Sequence, residues 1–303
     1  MSDKLSIFVP ITKPESRQDS WRESIANFTE FADEVVIVCG DESDLKLDFP
    51  NKDKIKLIYN KWRLDDYLMY GEQYKLGFEA TTGSWCLKCD IDYFFHEDDW
   101  EDIRTCLEAS RDDVLFMAKK QFILVDRYRV KALMPIVFRG TLRGRVAFDS
   151  RGDYTWPRVD GIEVSDKSKA VSRKDYVIVL DNVTEEQIKK RLPKVYKEGD
   201  KMYCMNRRIC VTNFDMCFKD KETISREFLK QSKARFIKTG ADWGQTEEEA
   251  LDCLVSMQKG RLSRGWAMAK PEDYPKHIKE KVKNITPEQF GYSLFGNWEK
   301  NGR

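Results

Sequence analysis

Residues 34–39, Glu-Val-Val-Ile-Val-Cys, constrain the fold more than any other stretch of the chain. A strand with one wet face alternates apolar and polar residues. An unbroken apolar run marks a strand covered on both faces, the situation of a sheet with helices above and below. The neighbouring segments agree. Ser6–Thr12 is a short β-rich run that ends in turn residues, and Asp19 or Ser20 can cap a helix carrying Trp21, Ile25, Phe28 and Phe31 at three- to four-residue spacing. Ile55–Tyr59 reads as a third strand, followed by an amphipathic stretch from Asp65 to Ala80 that Thr82-Gly83 ends. Trp85–Cys89 is a fourth strand, Asp99–Ala109 a helix and Val114–Ala118 a fifth strand. Strands alternating with helices predict an α/β fold with a mostly parallel sheet.

Beyond Lys119 the pattern becomes irregular. Extended segments are expected around Val125–Arg129, Ile136–Arg139 and Tyr176–Leu180, and a helix at Thr184–Arg191. Further helices begin near Thr223 and after Thr246, where Glu247, Glu248 and Glu249 suit a helix N-terminus. Pro271, Pro275 and Pro287 break the basic tail. The expected organisation is one α/β domain in two halves, residues 1–118 and 119–220, with a smaller helical C-terminal extension, 221–303.

Charge divides along similar lines. The chain of 303 residues has a net charge of +1, yet residues 1–118 hold 14 Lys and Arg against 26 Asp and Glu, and the remainder 39 against 26. An acidic first part and a basic second part imply two surfaces with different partners. No apolar run approaches the roughly 20 residues of a membrane helix, and Met1–Ser6 opens no secretory signal. A soluble, cytoplasmic protein is expected. Cys86 and Cys89 have the spacing of a zinc or redox pair, but no second pair follows. An odd offset in a strand also sends the two thiols to opposite faces. Reduced, buried thiols are therefore expected of the eight cysteines.

Ligands of an open parallel sheet gather at the carboxyl ends of its strands. Those ends are Pro10–Thr12, Gly40–Ser43, Asn60 and Asp90-Ile91-Asp92. In the last, two carboxylates two residues apart project the same way from extended chain and can reach one hard divalent cation, Mg²⁺ or Mn²⁺, holding a diphosphate. The chain has neither G-x-G-x-x-G after its first strand nor a G-x-x-x-x-G-K-[ST] loop, which disfavours dinucleotide and P-loop sites. His96 and His277 have no nucleophile context.

With Ser6–Thr12, Asp33–Ser43 and Gly83–Asp92 in this order, the first part of the chain resembles the nucleotide-binding half of family 2 glycosyltransferases with the GT-A fold. A weaker echo continues through Arg151–Pro157 and Asn213–Phe218. The resemblance implies a Rossmann-like sheet flanked by helices. It also implies a nucleoside-diphosphate sugar donor, UDP-linked by expectation, and a divalent cation, Mn²⁺ or Mg²⁺. Carried over position by position, Pro10, Ile11 and Thr12 line the nucleotide pocket, Asp41 lies near the base, and Asp90 and Asp92 hold the metal and the sugar nucleotide. Lys75 stands where relatives have an Arg-Asn pair. Asn213 and Asp215 stand where relatives supply a His as a further metal ligand.

An inverting transfer needs a carboxylate base. Asp149, Asp153, Asp160 and Glu163 are on offer; Asp153 is the first choice, because it falls in the echoed segment, and Asp160 the second. Trp156, Tyr154 and Trp62 are candidate sugar-stacking walls. Eight basic residues between Lys119 and Arg145, among them Arg139, Arg143 and Arg145, face a single acid, Asp126. They predict an anionic acceptor, an acidic glycan or a lipid-linked sugar, with a hydroxylated base in DNA as the alternative. Two other classes stay open, a sugar nucleotidyltransferase and a non-catalytic nucleotide-binding domain.

Overall fold

The computed structural model describes residues 4–40, 45, 47–62, 69–110, 113–150, 155–164, 178–181, 195–198, 201–204, 211–263 and 265–293. Four parallel neighbours start the large sheet, in the order β4 (Trp85–Lys88), β1 (Leu5–Ile11), β2 (Glu34–Cys39) and β3 (Ile55–Tyr59). Every residue of β1, β2 and β4 is buried, as the apolar run in β2 predicts. The covering layers come from the intervening helices. Trp21, Ile25, Phe28 and Phe31 of α1 (Trp21–Phe31) pack with Ile7, Val9, Val35 and Ile37 on one face. Tyr74 and Phe78 of α2 (Met69–Ala80) pack with Phe8 and Val36 on the other. Burying one such aromatic contributes about 2–3 kcal/mol.

After β4 the chain forms the short strand β5 (Tyr93–Phe95) and then α3 (Trp100–Ala109), whose Ile103, Cys106 and Leu107 join the α1 face of the core. From here the expectation of a mostly parallel sheet fails. The strands β6 (Val114–Leu124) and β7 (Arg127–Arg139) form one long antiparallel hairpin, and β7 pairs antiparallel with β4. The reason is connection length: only Val125 and Asp126 link β6 to β7, and two residues can join only antiparallel strands.

A separate three-stranded sheet, β8 (Val146–Ser150), β9 (Thr155–Val159) and β10 (Ile162–Glu163), lies against α2. The antiparallel group β11 (Ile178–Asp181), β12 (Val195–Glu198) and β13 (Lys201–Cys204) extends the large sheet beyond β6. Next, β14 (Val211–Asn213) enters between β5 and β6, antiparallel to the first and parallel to the second. The large sheet is therefore mixed. The expected helix at Thr184–Arg191 lies outside the described residues.

The helical extension holds α4 (Lys221–Thr239) and α5 (Glu247–Leu262), which pack on each other through Ile224, Phe228, Ala250 and Leu254. Asp220 caps α4 by accepting from the Thr223 amide at 2.7 Å, and Thr246 with Glu249 forms a capping box on α5. The division expected after residue 118 falls inside β6; that at 220 falls at the cap of α4. The chain then adds β15 (Ala267–Met268) to β7, makes the short helix α6 (Lys279–Lys283), and passes through residues 290–292 as a strap across the tip of the β6–β7 hairpin. In that strap Gly291 accepts from the Val125 amide at 2.8 Å and donates to the Cys217 carbonyl at 3.0 Å, and Phe290 donates to the Lys219 carbonyl at 2.8 Å. Among the described residues no helix is long and apolar enough to cross a membrane.

Candidate functional site

Where β4 ends, the chain releases Asp90-Ile91-Asp92 as a turn at the carboxyl end of the parallel strands. Three layers fix that turn. Ser24 of α1 donates to the Ile91 carbonyl at 2.6 Å, the Phe214 amide after β14 donates to the Asp92 carbonyl at 3.2 Å, and the Tyr93 amide closes back on the Asp90 carbonyl at 3.1 Å. The carboxylates are held from different sides. Asp90 Oδ1 accepts from the Tyr70 hydroxyl at 2.9 Å and from the Tyr74 hydroxyl, and Tyr93 also hydrogen-bonds to Asp90. Tyr70 and Tyr74 reach it together because they stand one helical turn apart on α2. Asp92 Oδ2 accepts from Asn213 Nδ2 at 2.5 Å. Asn213 is 2% exposed, and its Oδ1 has no hydrogen-bond partner among the described residues.

The electrostatics of the two carboxylates diverge. Burial raises Asp90, but Lys88 and Lys119, with the Tyr74 and Tyr93 hydroxyls, outweigh it and hold its carboxyl below the ordinary range. Burial also raises Asp92, and the neighbouring Asp215 and Asp90 carboxylates add to it, pushing Asp92 well up. Tyr70, Tyr74 and Tyr93 are pushed well above their usual value, by burial first and by Asp90 next, so they serve as donors. Lys119 is buried and donates to the Tyr93 hydroxyl at 3.2 Å. Lys88 is buried with its ammonium 4.0 Å from the Tyr74 ring centre, and burial pulls its pKa down against the pull of Asp90.

Of the residues singled out in the sequence, Asp90, Asp92, Asn213 and Asp215 come together here. Pro10, Ile11 and Thr12 are buried at the carboxyl end of β1, one strand away. Trp62 closes the same end of the sheet: a side chain on Gly40 would meet its Cβ at 2.6 Å, and its ring lies 5.6 Å from that of Tyr70. Asp41 and Asp153 lie outside the described residues. Ser150 and Thr155, which flank the latter segment, pair at the end of the small sheet beside α2, where Ser150 Oγ accepts from the Gly71 amide at 2.7 Å. A Cβ on Gly71 would fall 1.8 Å from the Phe148 carbonyl oxygen, so glycine is required for that approach.

Eight expected residues are elsewhere. Lys75 is exposed on the solvent side of α2, because Tyr70 and Tyr74 occupy the face toward Asp90. Arg139 pairs with Trp85 and stacks on its ring at 4.0 Å; this is the other end of β4, roughly 15 Å from Asp90 along the strand. Arg143 is committed there to the Thr81 hydroxyl and the Gly83 and Gly140 carbonyls. Arg145 and Asp160 form an exposed ion pair with each other at 2.5 Å, with Asp160 at the β9–β10 turn, at the end of the small sheet opposite Ser150. Asp149 pairs with Arg158, Glu163 is exposed on β10, and the half-buried Trp156 donates its indole N–H to the Val164 carbonyl at 2.8 Å. The sequence did not single out Tyr70, Tyr74, Tyr93 or Lys88 for this site, and counted Lys119 only in the basic acceptor stretch. The four-residue spacing of Tyr70 and Tyr74 was the available signal.

The donor set suits a hard cation of the Mg²⁺ or Mn²⁺ class. The Asp215 charge acts on Asp92 and raises it, and the orphaned Asn213 oxygen faces no donor among the described residues. Among those residues no three His, Cys, Asp or Glu side chains converge on one point. The chain would thus give such an ion one or two carboxylates and leave its other positions to water and substrate oxygens, a common arrangement for Mg²⁺.

No protein-family model matches the chain, and no curated protein does. Solved structures give a distant structural resemblance. Residues 1–349 of TarS from S. aureus in complex with UDP align over 86% of this chain and 72% of that one, at 14% identity and a TM-score of 0.38. The mannosyltransferase PcManGT from Pyrobaculum calidifontis, in complex with GDP-Man and Mn²⁺, aligns over 90% and 78%, at 10% identity and a TM-score of 0.36. At these values nothing about the chemistry of this chain rests on them.

Proposed function

We propose that this chain is a glycosyltransferase that moves a sugar from a nucleoside-diphosphate sugar, UDP-linked by preference, to a hydroxyl of an acceptor. The observation that carries the reading is the Asp90–Asp92 turn at the carboxyl end of β4, with Asp215 and Asn213 beside it and two buried ammoniums against it. A bound Mn²⁺ or Mg²⁺ would neutralise the leaving diphosphate as it departs. The chain's own residues do the rest. The tyrosines hold Asp90 in one orientation, Asn213 holds Asp92, and Pro10–Thr12 with Trp62 form the floor for the nucleoside. Asp153 is the base we assign. Its carboxylate takes the acceptor's proton while the hydroxyl oxygen bonds to the anomeric carbon and the bond to the diphosphate breaks, inverting that centre.

Residues 1–118 would bind the donor, 119–220 the acceptor, with 221–303 as a helical buttress. The anionic acceptor expected from the Lys119–Arg145 stretch loses the support of Arg139, Arg143 and Arg145, which lie at the wrong end of β4. A glycan or lipid-linked sugar stays the proposed acceptor, with a hydroxylated base in DNA as the alternative.

A thermal-shift screen of sugar nucleotides with Mn²⁺ tests the reading, since a ligand at 100 times its Kd stabilises the fold by about 2.7 kcal/mol. The stabilising donor should then be turned over, with Asp92→Asn abolishing turnover and Asp153→Asn abolishing transfer while sparing nucleotide binding. Binding without turnover on any acceptor, or pyrophosphate release from a nucleoside triphosphate and a sugar phosphate, would refute it.

A further inference from the structure

Four lysines are buried among the described residues: Lys88, Lys119, Lys120 and Lys219. Three of them have an acceptor for their ammonium. Lys119 donates to the Tyr93 hydroxyl at 3.2 Å, Lys120 pairs with Asp273 at 2.7 Å, and Lys219 with Asp19 at 2.5 Å. Lys88 is the exception. It is 4% exposed, and its ammonium has no hydrogen-bond acceptor and no carboxylate at ion-pair distance among the described residues; its one close contact is the Tyr74 ring. An ammonium in so little water gains more from an anionic acceptor than a single ring contact returns.

Asp90 does not relieve it. Lys88 and Asp90 are two residues apart on extended chain and so project to the same side of the sheet. Even so, Asp90 Oδ1 is already occupied by the Tyr70 and Tyr74 hydroxyls. Lys88 thus holds three unspent N–H donors beside Tyr74, whose hydroxyl holds Asp90. The structure assigns these donors to an anion that arrives with the substrate.

We infer that Lys88 is the diphosphate contact of this site, a fixed ammonium that takes phosphate oxygens of a nucleoside diphosphate beside Asp90. The inference rests on the function proposed above and adds a residue to it. Phosphate fits better than a sugar hydroxyl. An ammonium with no counter-charge gains most from an acceptor carrying full negative charge, and a lysine offers a point charge without the planar fork that selects carboxylates. Lys119 is the second cation of the frame. It spends one N–H on Tyr93, and its charge acts on both Asp90 and Asp92.

Lys88→Met keeps the aliphatic stem and removes the charge. Calorimetry in Mn²⁺ with UDP, inorganic pyrophosphate and uridine, on the full chain, reads the consequence. The variant should lose at least tenfold in affinity for UDP and for pyrophosphate and be unchanged toward uridine. Its urea midpoint should stay level or rise, because a structural lysine would destabilise the fold when removed and a ligand-directed one would not. UDP affinity within twofold of wild type, or a lowered midpoint, would overturn the assignment. A wild-type chain that binds pyrophosphate tightly, with the tenfold loss in the variant, but does not bind UDP would overturn the reaction proposed above and the nucleoside diphosphate as ligand, and keep Lys88 only as a diphosphate-binding ammonium. Binding of neither would overturn both.

Discussion

Gly291 sits in the C-terminal strap with its α-carbon against the turn that carries Asp215. A Cβ built there would stand 2.5 Å from Cys217 Cα, 2.7 Å from its Cβ and 2.7 Å from its carbonyl oxygen. Two of those atoms are backbone, so no rotamer change can make room; the strap and the turn must separate. Separation strains or breaks two hydrogen bonds, Gly291 to the Cys217 carbonyl at 3.0 Å and Val125 to the Gly291 carbonyl at 2.8 Å, each worth about 1 kcal/mol. Overpacking a buried contact adds about 1–3 kcal/mol. Gly291→Ala should therefore cost about 3–5 kcal/mol, read as a lower urea midpoint at unchanged slope. Gly144→Ala is the control: its φ of +78° makes a side chain strained, by about 1–2 kcal/mol, but a Cβ there meets nothing within 4 Å. A loss at Gly291 no larger than that at Gly144 would refute the steric reasoning. Because Cys217 closes its turn on the Phe214 carbonyl across Asp215, the same variant should also weaken Mn²⁺ binding several-fold in a titration.

Two further predictions concern the end of β4 away from the site. Burial raises the Glu34 carboxyl, but the Ser6 hydroxyl and the Thr82 amide, with Lys4, outweigh burial and hold it below its ordinary value. An acid held low stabilises the fold above its unfolded pKa and loses that contribution as pH falls through the folded one. Glu34→Gln should then cost about 1–2 kcal/mol at pH 7, with the gap to wild type closing as pH drops below roughly 4.5; a gap independent of pH in denaturation curves would contradict this. Arg143→Met should lower the unfolding free energy by about 2–3 kcal/mol, since it strips donors from the Thr81 hydroxyl and two carbonyls, and leave UDP affinity unchanged. Lost affinity without lost stability would return Arg143 to the binding surface.

How much of this was legible beforehand depends on whether a feature is local. The covered strand at 34–39, the helices over 21–31 and 100–109, and the carboxylate pair at the end of β4 are set by residues near one another in sequence, and they stand close to where the pattern puts them. The β6–β7 hairpin is different. Its register shifts three times, between Leu115 and Phe116, Met117 and Lys119, and Phe122 and Leu124, which breaks the two-residue alternation that would have marked one long strand. Lys119 and Lys120 in its buried middle also mimic a solvated segment, because their partners Tyr93 and Asp273 come from distant parts of the chain. The basic stretch therefore read as one surface when it is a strand pair with cations at opposite ends. The tyrosine cluster was invisible for a related reason. Tyr70 and Tyr74 look like core aromatics until the end of β4 brings Asp90 against them.

That cluster separates the two carboxylates of the turn, and the separation can be measured. Asp90 receives three tyrosine hydroxyls and faces two ammoniums, whereas Asp92 receives one amide, and burial with two other carboxylates outweighs the pull of Lys119 and Lys219 on it. By this count Asp90 is satisfied inside the protein and serves as a fixed strut, and Asp92 is the carboxylate left for an incoming cation. The two asparagine variants should then diverge. Asp90→Asn takes charged acceptors from buried hydroxyls and should cost about 1.5–3 kcal/mol of stability, with the loss of Mn²⁺ affinity following only from the disordered turn. Asp92→Asn removes a repelled charge, so its unfolding midpoint without metal should hold or rise while its Mn²⁺ affinity disappears. Equal losses of stability in the two variants, or Mn²⁺ binding that survives Asp92→Asn, would show that the hydrogen-bond count does not decide which carboxylate meets the ion.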